Sequence, residues 1–128
     1  MRRAKRVYLI GNGGSYANAA HIANDLLACG IRAYTLDAAT LTAIGNDFGY
    51  ENIFAKWLQT VGESADLLLA LSGSGTSRNI TLAMDAAKER GMDTYLVTDY
   101  LRNRDMQQSE EDQLAIGHEL MRILREQR

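Results

Sequence analysis

Short apolar runs alternate along this chain with longer segments of helical periodicity, and this alternation constrains the fold more than any other feature. Residues 6–11, 31–37, 65–71 and 93–100 are rich in Val, Ile, Leu, Ala and Tyr, which is typical of buried strands. Strands separated by helices of this length form right-handed βαβ units. The pattern therefore predicts an α/β fold, with a parallel sheet covered by helices on both faces.

The segments between the predicted strands have the spacing of amphipathic helices. In residues 15–28 apolar side chains recur every three or four positions, and Gly30 follows as a stop signal. Further helices are predicted at residues 51–62, 76–90 and 109–127. Residues 38–50 are predicted as a helical turn followed by a loop.

Composition and charge favour one ordinary globular domain spanning residues 1–128. Apolar residues make up 46% of the chain and charged residues 23%, and the net charge of −2 argues against generic binding to nucleic acid or membrane surfaces. No apolar run reaches the ~18 residues that span a bilayer. The basic residues 1–6 precede too short an apolar run for a signal peptide. Cys29 is the only cysteine, which excludes an internal disulfide framework, and we expect a cytoplasmic protein.

Two loops rich in glycine and serine each follow a predicted strand and precede a predicted helix. They read GNGGS at residues 11–15 and LSGSGTS at residues 71–77. Because the carboxyl ends of parallel strands share one edge of the sheet, both loops are predicted to lie at that edge. Neither loop has the lysine of a nucleotide-binding P-loop. Backbone N–H groups, hydroxyls and helix N-termini without that lysine suit a phosphate that is held and not transferred. The alternative is an ordinary pair of tight turns with helix caps.

Both histidines of the chain have carboxylates at helical spacing. His21 and Asp25 are four residues apart on one predicted helix, and His118 follows Glu110 and Glu111 on the last one. Each pair taken alone is typical of a solvated surface. Together they suggest a metal site or a proton-transfer site.

Four stretches of the chain resemble the sugar isomerase (SIS) domain family, and in particular its phosphoheptose isomerases. They are residues 11–26, 43–62, 67–92 and 117–124, and the GNDFG run in the second is more specific than a glycine motif. The resemblance implies a three-layer αβα sandwich with a mostly four-stranded, flavodoxin-like parallel sheet. The family's helical segment before the first strand and its last strand have no counterpart here, so we expect a shortened domain.

The resemblance also implies a set of site residues. The family's sugar-side loop falls on Asn12, Gly13 and Ser15, and its GNDFG substrate contact falls on Asp47. The family's phosphate loop falls on Ser72, Gly73, Ser74, Thr76 and Ser77. The positions that ligate zinc in metal-containing members fall on His21, Asp25, Glu110 and His118. Asp25 and Glu110 replace a glutamate and a glutamine of the family pattern.

The activity that the resemblance implies is aldose–ketose isomerisation of a sugar phosphate, such as sedoheptulose 7-phosphate, through an enediol. Asp25 would act as the base and His118 as the acid, with zinc as a candidate cofactor. Neighbouring subunits complete the family's active site. A four-stranded sheet also leaves an edge that invites pairing. We therefore expect a homo-oligomer, either a dimer or a tetramer.

Two other functions remain open on the sequence. The first is a non-catalytic SIS module that binds a sugar phosphate or a protein partner, which the missing segments favour. The second is a dinucleotide-binding domain, for which Asp37 is the only candidate ribose contact. The first loop does not fit the GxGxxG spacing that a dinucleotide-binding domain requires.

Overall fold

Strands and helices alternate through residues 6–98, the part of the chain that the computed structural model describes. The elements are β1 Val7–Gly11, α1 Gly14–Ala28, β2 Ala33–Thr35, α2 Ala38–Phe48, a 3-10 turn Tyr50–Asn52, α3 Ile53–Val61, β3 Leu67–Leu71, α4 Arg78–Glu89 and β4 Asp93–Val97. No helix in this described part is long and apolar enough to cross a membrane. The predicted helix at residues 109–127 and the last two residues of the predicted fourth strand lie outside it.

The four strands form one parallel sheet in the order β2-β1-β3-β4. The chain leaves β1 toward β2 on one side and returns to add β3 on the other side of β1. Strand order therefore reverses between β1 and β3, which is where ligands bind in sheets of this kind. The sheet confirms the predicted α/β fold and its parallel strands.

Helices cover both faces of the sheet and bury two separate core clusters. On one face Ile22 and Leu26 of α1 pack against Leu9 and other strand residues. On the opposite face Phe54 of α3 and Ile80 of α4 pack against their own set. Because β1 and β3 are buried on both faces, they carry apolar side chains without the alternation of a half-exposed strand. The three-layer prediction is confirmed.

The prediction of a turn and loop at residues 38–50 is wrong, since α2 Ala38–Phe48 is a complete helix. The Asp37 carboxylate starts it by accepting hydrogen bonds from the Thr40 N–H at 2.8 Å and the Thr40 hydroxyl at 3.0 Å. None of the residues of α2 is fully buried, although Leu41 and Ile44 pack against the core. The apolar stripe was therefore too weak to predict the helix.

Several predicted boundaries also shift by a few residues, and two of the shifts have a clear cause. The strand predicted at residues 31–37 is only Ala33–Thr35, because Asp37 belongs to the cap of α2. The helix predicted from residue 76 begins at Arg78, because the preceding residues form the turn that leaves β3.

Candidate functional site

The two loops leave neighbouring strands at the same edge of the sheet. We call residues 11–15 loop 1 and residues 72–77 loop 2. The last residue of β1, Gly11, pairs in register with the last residue of β3, Leu71. This confirms the prediction that both loops lie at one edge, at the point where strand order reverses.

Loop 1 is shaped by its backbone. A Cβ atom on Gly11 would lie 2.7 Å from the carbonyl carbon and oxygen of Ser15, so only glycine fits where α1 begins. Gly13 has a φ of +55°, which L side chains rarely adopt, and occupies the N-cap position of α1 without a capping side chain. Ser15 is buried, and its N–H donates to the carbonyl of Asn12 at 2.9 Å.

Loop 2 is shaped by hydroxyl groups. The Ser74 hydroxyl lies 3.4 Å from both the Ser72 and the Ser77 hydroxyls. The Ser72 oxygen accepts the Gly75 N–H at 3.1 Å, and the Ser74 oxygen accepts the Thr76 N–H at 3.2 Å. Hydroxyls normally bond at about 2.7–2.8 Å, so the contacts among the serines are weak and leave their hydrogens available to a ligand.

The first turns of α1 and α4 both favour an anion at this edge. Neither has an acidic residue, and neither helix has a side-chain hydrogen bond at its N-cap. Ser77 occupies the N-cap position of α4 while its hydroxyl lies toward Ser74. The positive ends of two helix dipoles therefore lie beside the two loops.

Two polar residues that the sequence did not single out connect the loops. Asn79, in the first turn of α4, exchanges two hydrogen bonds with the side chain of Asn12, at 2.9 and 2.8 Å. The Tyr50 hydroxyl donates to the same Asn12 oxygen at 3.1 Å. Asn79 follows the helical spacing of the buried positions of α4, and a polar residue on such a stripe was the available signal.

A cavity of about 200 Å³ opens beside loop 1. It is lined by Gly11, Asn12, Gly13, Tyr16, Leu41, Tyr50, Ile53 and Phe54. The Tyr16 hydroxyl donates to the carbonyl of Leu36, and burial, with a smaller contribution from the Asp37 carboxylate, raises the pKa of Tyr16.

Asp47 is not among the residues that line this cavity. It is exposed near the end of α2, where its carboxylate accepts a hydrogen bond from the Asn46 side chain at 3.1 Å. Its predicted contact with substrate remains a prediction.

His21 and Asp25 form a pair on α1, away from the two loops. Their Nε2 and Oδ2 atoms are 3.3 Å apart, with side chains 52% and 25% exposed. His21 lies seven residues after Gly14, which begins α1. At about 1.5 Å per residue, this places His21 about 10 Å along the helix from the loops.

The pair is two of the four zinc ligands that the family resemblance implies. Ligand atoms on bonds of about 2.0–2.1 Å in a tetrahedral zinc site lie about 3.3 Å apart, and imidazole and carboxylate are both common zinc ligands. Among residues 6–98, no group of three or more His, Cys, Asp or Glu side chains could hold a metal ion. The predicted ligands Glu110 and His118 lie outside the described residues.

Comparison with known proteins identifies phosphoheptose isomerases among the relatives of this chain. The family model for the SIS domain matches residues 1–99. A phosphoheptose isomerase of Akkermansia muciniphila is 42% identical over 106 residues, which are 77% of this chain and 56% of that protein. One from Bradyrhizobium sp. strain BTAi1 is 41% identical over 102 residues, or 73% and 52%. The chain thus spans about half the length of these curated relatives.

Two solved structures of similar fold carry the same name. The phosphoheptose isomerase of Neisseria gonorrhoeae superposes with a TM-score of 0.85 and 28% identity, covering 92% of this chain and 74% of that one. A phosphoheptose isomerase from Francisella tularensis gives 0.85 and 29%, covering 94% and 76%.

Proposed function

The chain belongs to the SIS domain family, and on this premise we propose that it binds a sugar phosphate between loops 1 and 2 and interconverts its aldose and ketose forms. The observation that carries the proposal is the meeting of two glycine- and serine-bearing loops at the reversal point of a parallel sheet. Since the relatives above are named phosphoheptose isomerases, sedoheptulose 7-phosphate is the proposed substrate.

The phosphate is proposed to lie against loop 2 and the first turn of α4. The hydroxyls of Ser72, Ser74 and Ser77 can donate to phosphate oxygens, and N–H groups of the helix start add to them. Gly73 and Thr76 complete this side of the site. Asn12, Gly13 and Ser15 of loop 1 are proposed on the sugar side, with Asp47 as a further contact. Binding of the phosphate group supplies free energy that holds the carbon chain of the sugar in position for reaction.

The proposed reaction moves one proton between neighbouring carbons of the sugar. The carboxylate of Asp25 takes the proton from the carbon beside the carbonyl, and an acid, His118, protonates the carbonyl oxygen to give an enediol. Because the His21–Asp25 pair lies about 10 Å or more along α1 from the loops, the Asp25 that meets a substrate held there would belong to a neighbouring subunit of the proposed oligomer. Returning the proton from Asp25 to the other carbon, while the hydroxyl on the first carbon gives its proton back to His118, forms the new carbonyl and completes the interconversion with no net oxidation. Alternatively, His21, Asp25, Glu110 and His118 would hold zinc, and the metal would then take the place of the His118 acid by acting as a Lewis acid on the carbonyl oxygen.

A homo-oligomer, dimer or tetramer, is part of the proposal. Within the described residues β2 and β4 each pair with only one strand, and they carry the exposed Tyr34 and Tyr95. Unprotected edges and exposed aromatic side chains are commonly covered by a partner. We also propose a cytoplasmic location, since the only cysteine, Cys29, is buried and unsuited to a disulfide framework.

Turnover of sedoheptulose 7-phosphate by the full chain tests the activity, with zinc supplied and after chelation. Asp25→Ala and His118→Ala are each expected to lower the rate by about 10²–10⁴-fold, the usual contribution of a general acid or base. Asp85→Ala, which removes an exposed carboxylate from α4, is the control and should leave the rate unchanged. Binding of the sugar phosphate without turnover under either condition would favour the non-catalytic module.

A further inference from the structure

Buried polar side chains in the described residues concentrate where the two loops meet. Ser15, Ser72 and Asn79 are three of the four, and Asp66 at the other end of β3 is the fourth. Asn79 is only 4% exposed, although it lies in the first turn of a helix where solvent is close. Burying an amide is unfavourable unless its hydrogen bonds are made, so the partner of Asn79 matters for the fold and for the site.

That partner is Asn12, whose side chain is almost fully occupied by protein contacts. Its oxygen accepts from the Asn79 amide at 2.8 Å and from the Tyr50 hydroxyl at 3.1 Å. Its amide donates to the Asn79 oxygen at 2.9 Å. An asparagine oxygen has two lone pairs and its amide two N–H bonds, so one N–H of Asn12 remains for a ligand.

These bonds join three segments that are distant in sequence. Asn12 belongs to loop 1, Tyr50 begins the 3-10 turn after α2, and Asn79 lies two residues beyond the end of loop 2. A reciprocal amide pair holds both partners in one plane and at one distance. It therefore fixes how far the start of α1 lies from the start of α4.

We propose that Asn79, through its amide pair with Asn12, is a positioning residue that sets the spacing of loops 1 and 2 for one phosphate ester, with the Tyr50 hydroxyl holding Asn12 in place. This rests on the proposed function, because it assumes that both loops contact the same anion. Asn12 then acts chiefly as a link between the loops. An amide is required at both positions because each must donate and accept at once.

Binding of inorganic phosphate to the full chain, measured by calorimetry at a temperature where each variant is folded, tests this proposal. Asn79→Ala and Asn12→Ala are each expected to weaken phosphate binding about tenfold, which corresponds to a loss of ~1.4 kcal/mol of binding free energy. The double variant should bind phosphate about tenfold more weakly than wild type, like each single variant, because both substitutions break the same pair of hydrogen bonds. Unchanged affinity in Asn79→Ala, or effects that add fully in the double variant, would overturn it.

Tyr50→Phe provides a second test of the proposal in case the Asn79→Ala variant does not fold. The Tyr50 side chain is 63% exposed, so loss of its hydroxyl should leave the fold intact and weaken phosphate binding about threefold, as loss of one modest hydrogen bond would. Thr60→Ala on α3 is the control, since it also removes one exposed hydroxyl, which bonds within its own helix at 3.0 Å, and it should leave phosphate affinity unchanged. Equal affinity in the Tyr50→Phe and Thr60→Ala variants would count against the proposal.

The outcomes separate this inference from the function on which it rests. If wild type binds neither inorganic phosphate nor sedoheptulose 7-phosphate, the proposed function and the positioning role of Asn79 are both wrong. If a Ser72→Ala, Ser74→Ala, Ser77→Ala triple variant loses binding while Asn79→Ala keeps it, the proposed phosphate site stands and only the positioning role is wrong.

Discussion

Loops 1 and 2 occupy equivalent places in the fold, yet they use different chemistry. Each leaves the carboxyl end of a buried strand and starts a helix. In loop 1 the close approach at Gly11 and the positive φ of Gly13 determine the path, and Ser15 is buried. In loop 2 three serine hydroxyls line the turn, and Ser74 is exposed. Two loops of similar composition are therefore built differently: backbone conformation determines loop 1, and side-chain hydroxyls determine the surface of loop 2.

This difference predicts which property each loop controls. Substitutions of the loop 1 glycines should act mainly on folding, because these glycines determine whether α1 can begin where it does. Substitutions of Ser74 and Ser77 in loop 2 should act mainly on ligand affinity, because their mutual contact at 3.4 Å is weak and Ser74 accepts one backbone N–H, that of Thr76.

The largest expected effect is that of Gly11→Ala. The added Cβ would meet the backbone of Ser15 at 2.7 Å and the Tyr16 nitrogen at 2.9 Å, and neither can move without displacing α1. We expect a loss of about 3 kcal/mol or more in the free energy of unfolding, measured by urea denaturation. Gly45→Ala is the control, since its Cβ would meet only Ile53 at an ordinary 3.5 Å. Equal stability of the two variants would contradict the backbone account of loop 1.

The next largest effect is on phosphate affinity. Removing two hydroxyls of loop 2, with Ser74→Ala and Ser77→Ala together, should weaken binding of inorganic phosphate about 100-fold, because hydrogen bonds to a charged group contribute about 1.5–3 kcal/mol each. The free energy of unfolding without ligand should fall by about 1 kcal/mol at most, because the double variant loses the hydrogen bond from the Thr76 N–H to the Ser74 oxygen at 3.2 Å. Thr60→Ala on α3, whose hydroxyl bonds only within its own helix at 3.0 Å, is the control for both measurements. A large loss of stability with little change in affinity would reverse the assignment of the two loops.

A smaller effect is expected for Gly13→Ala, which tests the backbone account without a steric clash. No atom lies within 4 Å of the Cβ that would be added, so only the φ of +55° opposes the substitution. With a ψ of −121° Gly13 also lies outside the left-handed helical region, so we expect a loss of about 1–3 kcal/mol in the free energy of unfolding. The loss must be smaller than that of Gly11→Ala. A larger loss of stability in Gly13→Ala than in Gly11→Ala would show that the structure relieves the close contact at Gly11 with little loss of folding free energy.

The smallest effect concerns a helix start outside both loops. Hydrogen bonds from the backbone N–H and then the hydroxyl of Thr40 lower the pKa of Asp37 from its ordinary 3.8. Since the folded-state pKa is below the unfolded one, the stabilising contribution is present above the unfolded pKa and is lost as pH falls through the folded pKa. The unfolding temperature of wild type relative to Asp37→Asn should therefore decline below about pH 4. A difference that does not vary with pH would contradict this role for Asp37.

Much of the fold was predictable from local sequence because the features that determine it are local. Buried parallel strands need continuous apolar runs, and the turns after β1 and β3 need small residues, so alternation alone predicted the sheet and the placement of both loops. Helix α2 escaped prediction for the converse reason. It buries none of its residues fully, and Gly45 interrupts its helical pattern.

The contacts within the candidate site were less accessible to sequence reasoning. Asn12 and Asn79 are 67 residues apart, and only the neighbouring positions of β1 and β3 in the sheet bring them together. Resemblance to a family suggested Asn12 as a sugar contact, but a tertiary hydrogen bond leaves no local periodicity that could reveal its partner. The separation between His21 and the loops likewise follows from the direction in which α1 runs.

Titration of the isotopically labelled full chain with sedoheptulose 7-phosphate, followed by the backbone N–H resonances of both loops, tests most directly whether one ligand contacts them together. The account predicts that signals from residues 13–15 and 75–77 shift in parallel with a single dissociation constant, and that the triple serine variant abolishes both sets of shifts. Shifts confined to one loop, or two loops that saturate at different concentrations, would contradict it.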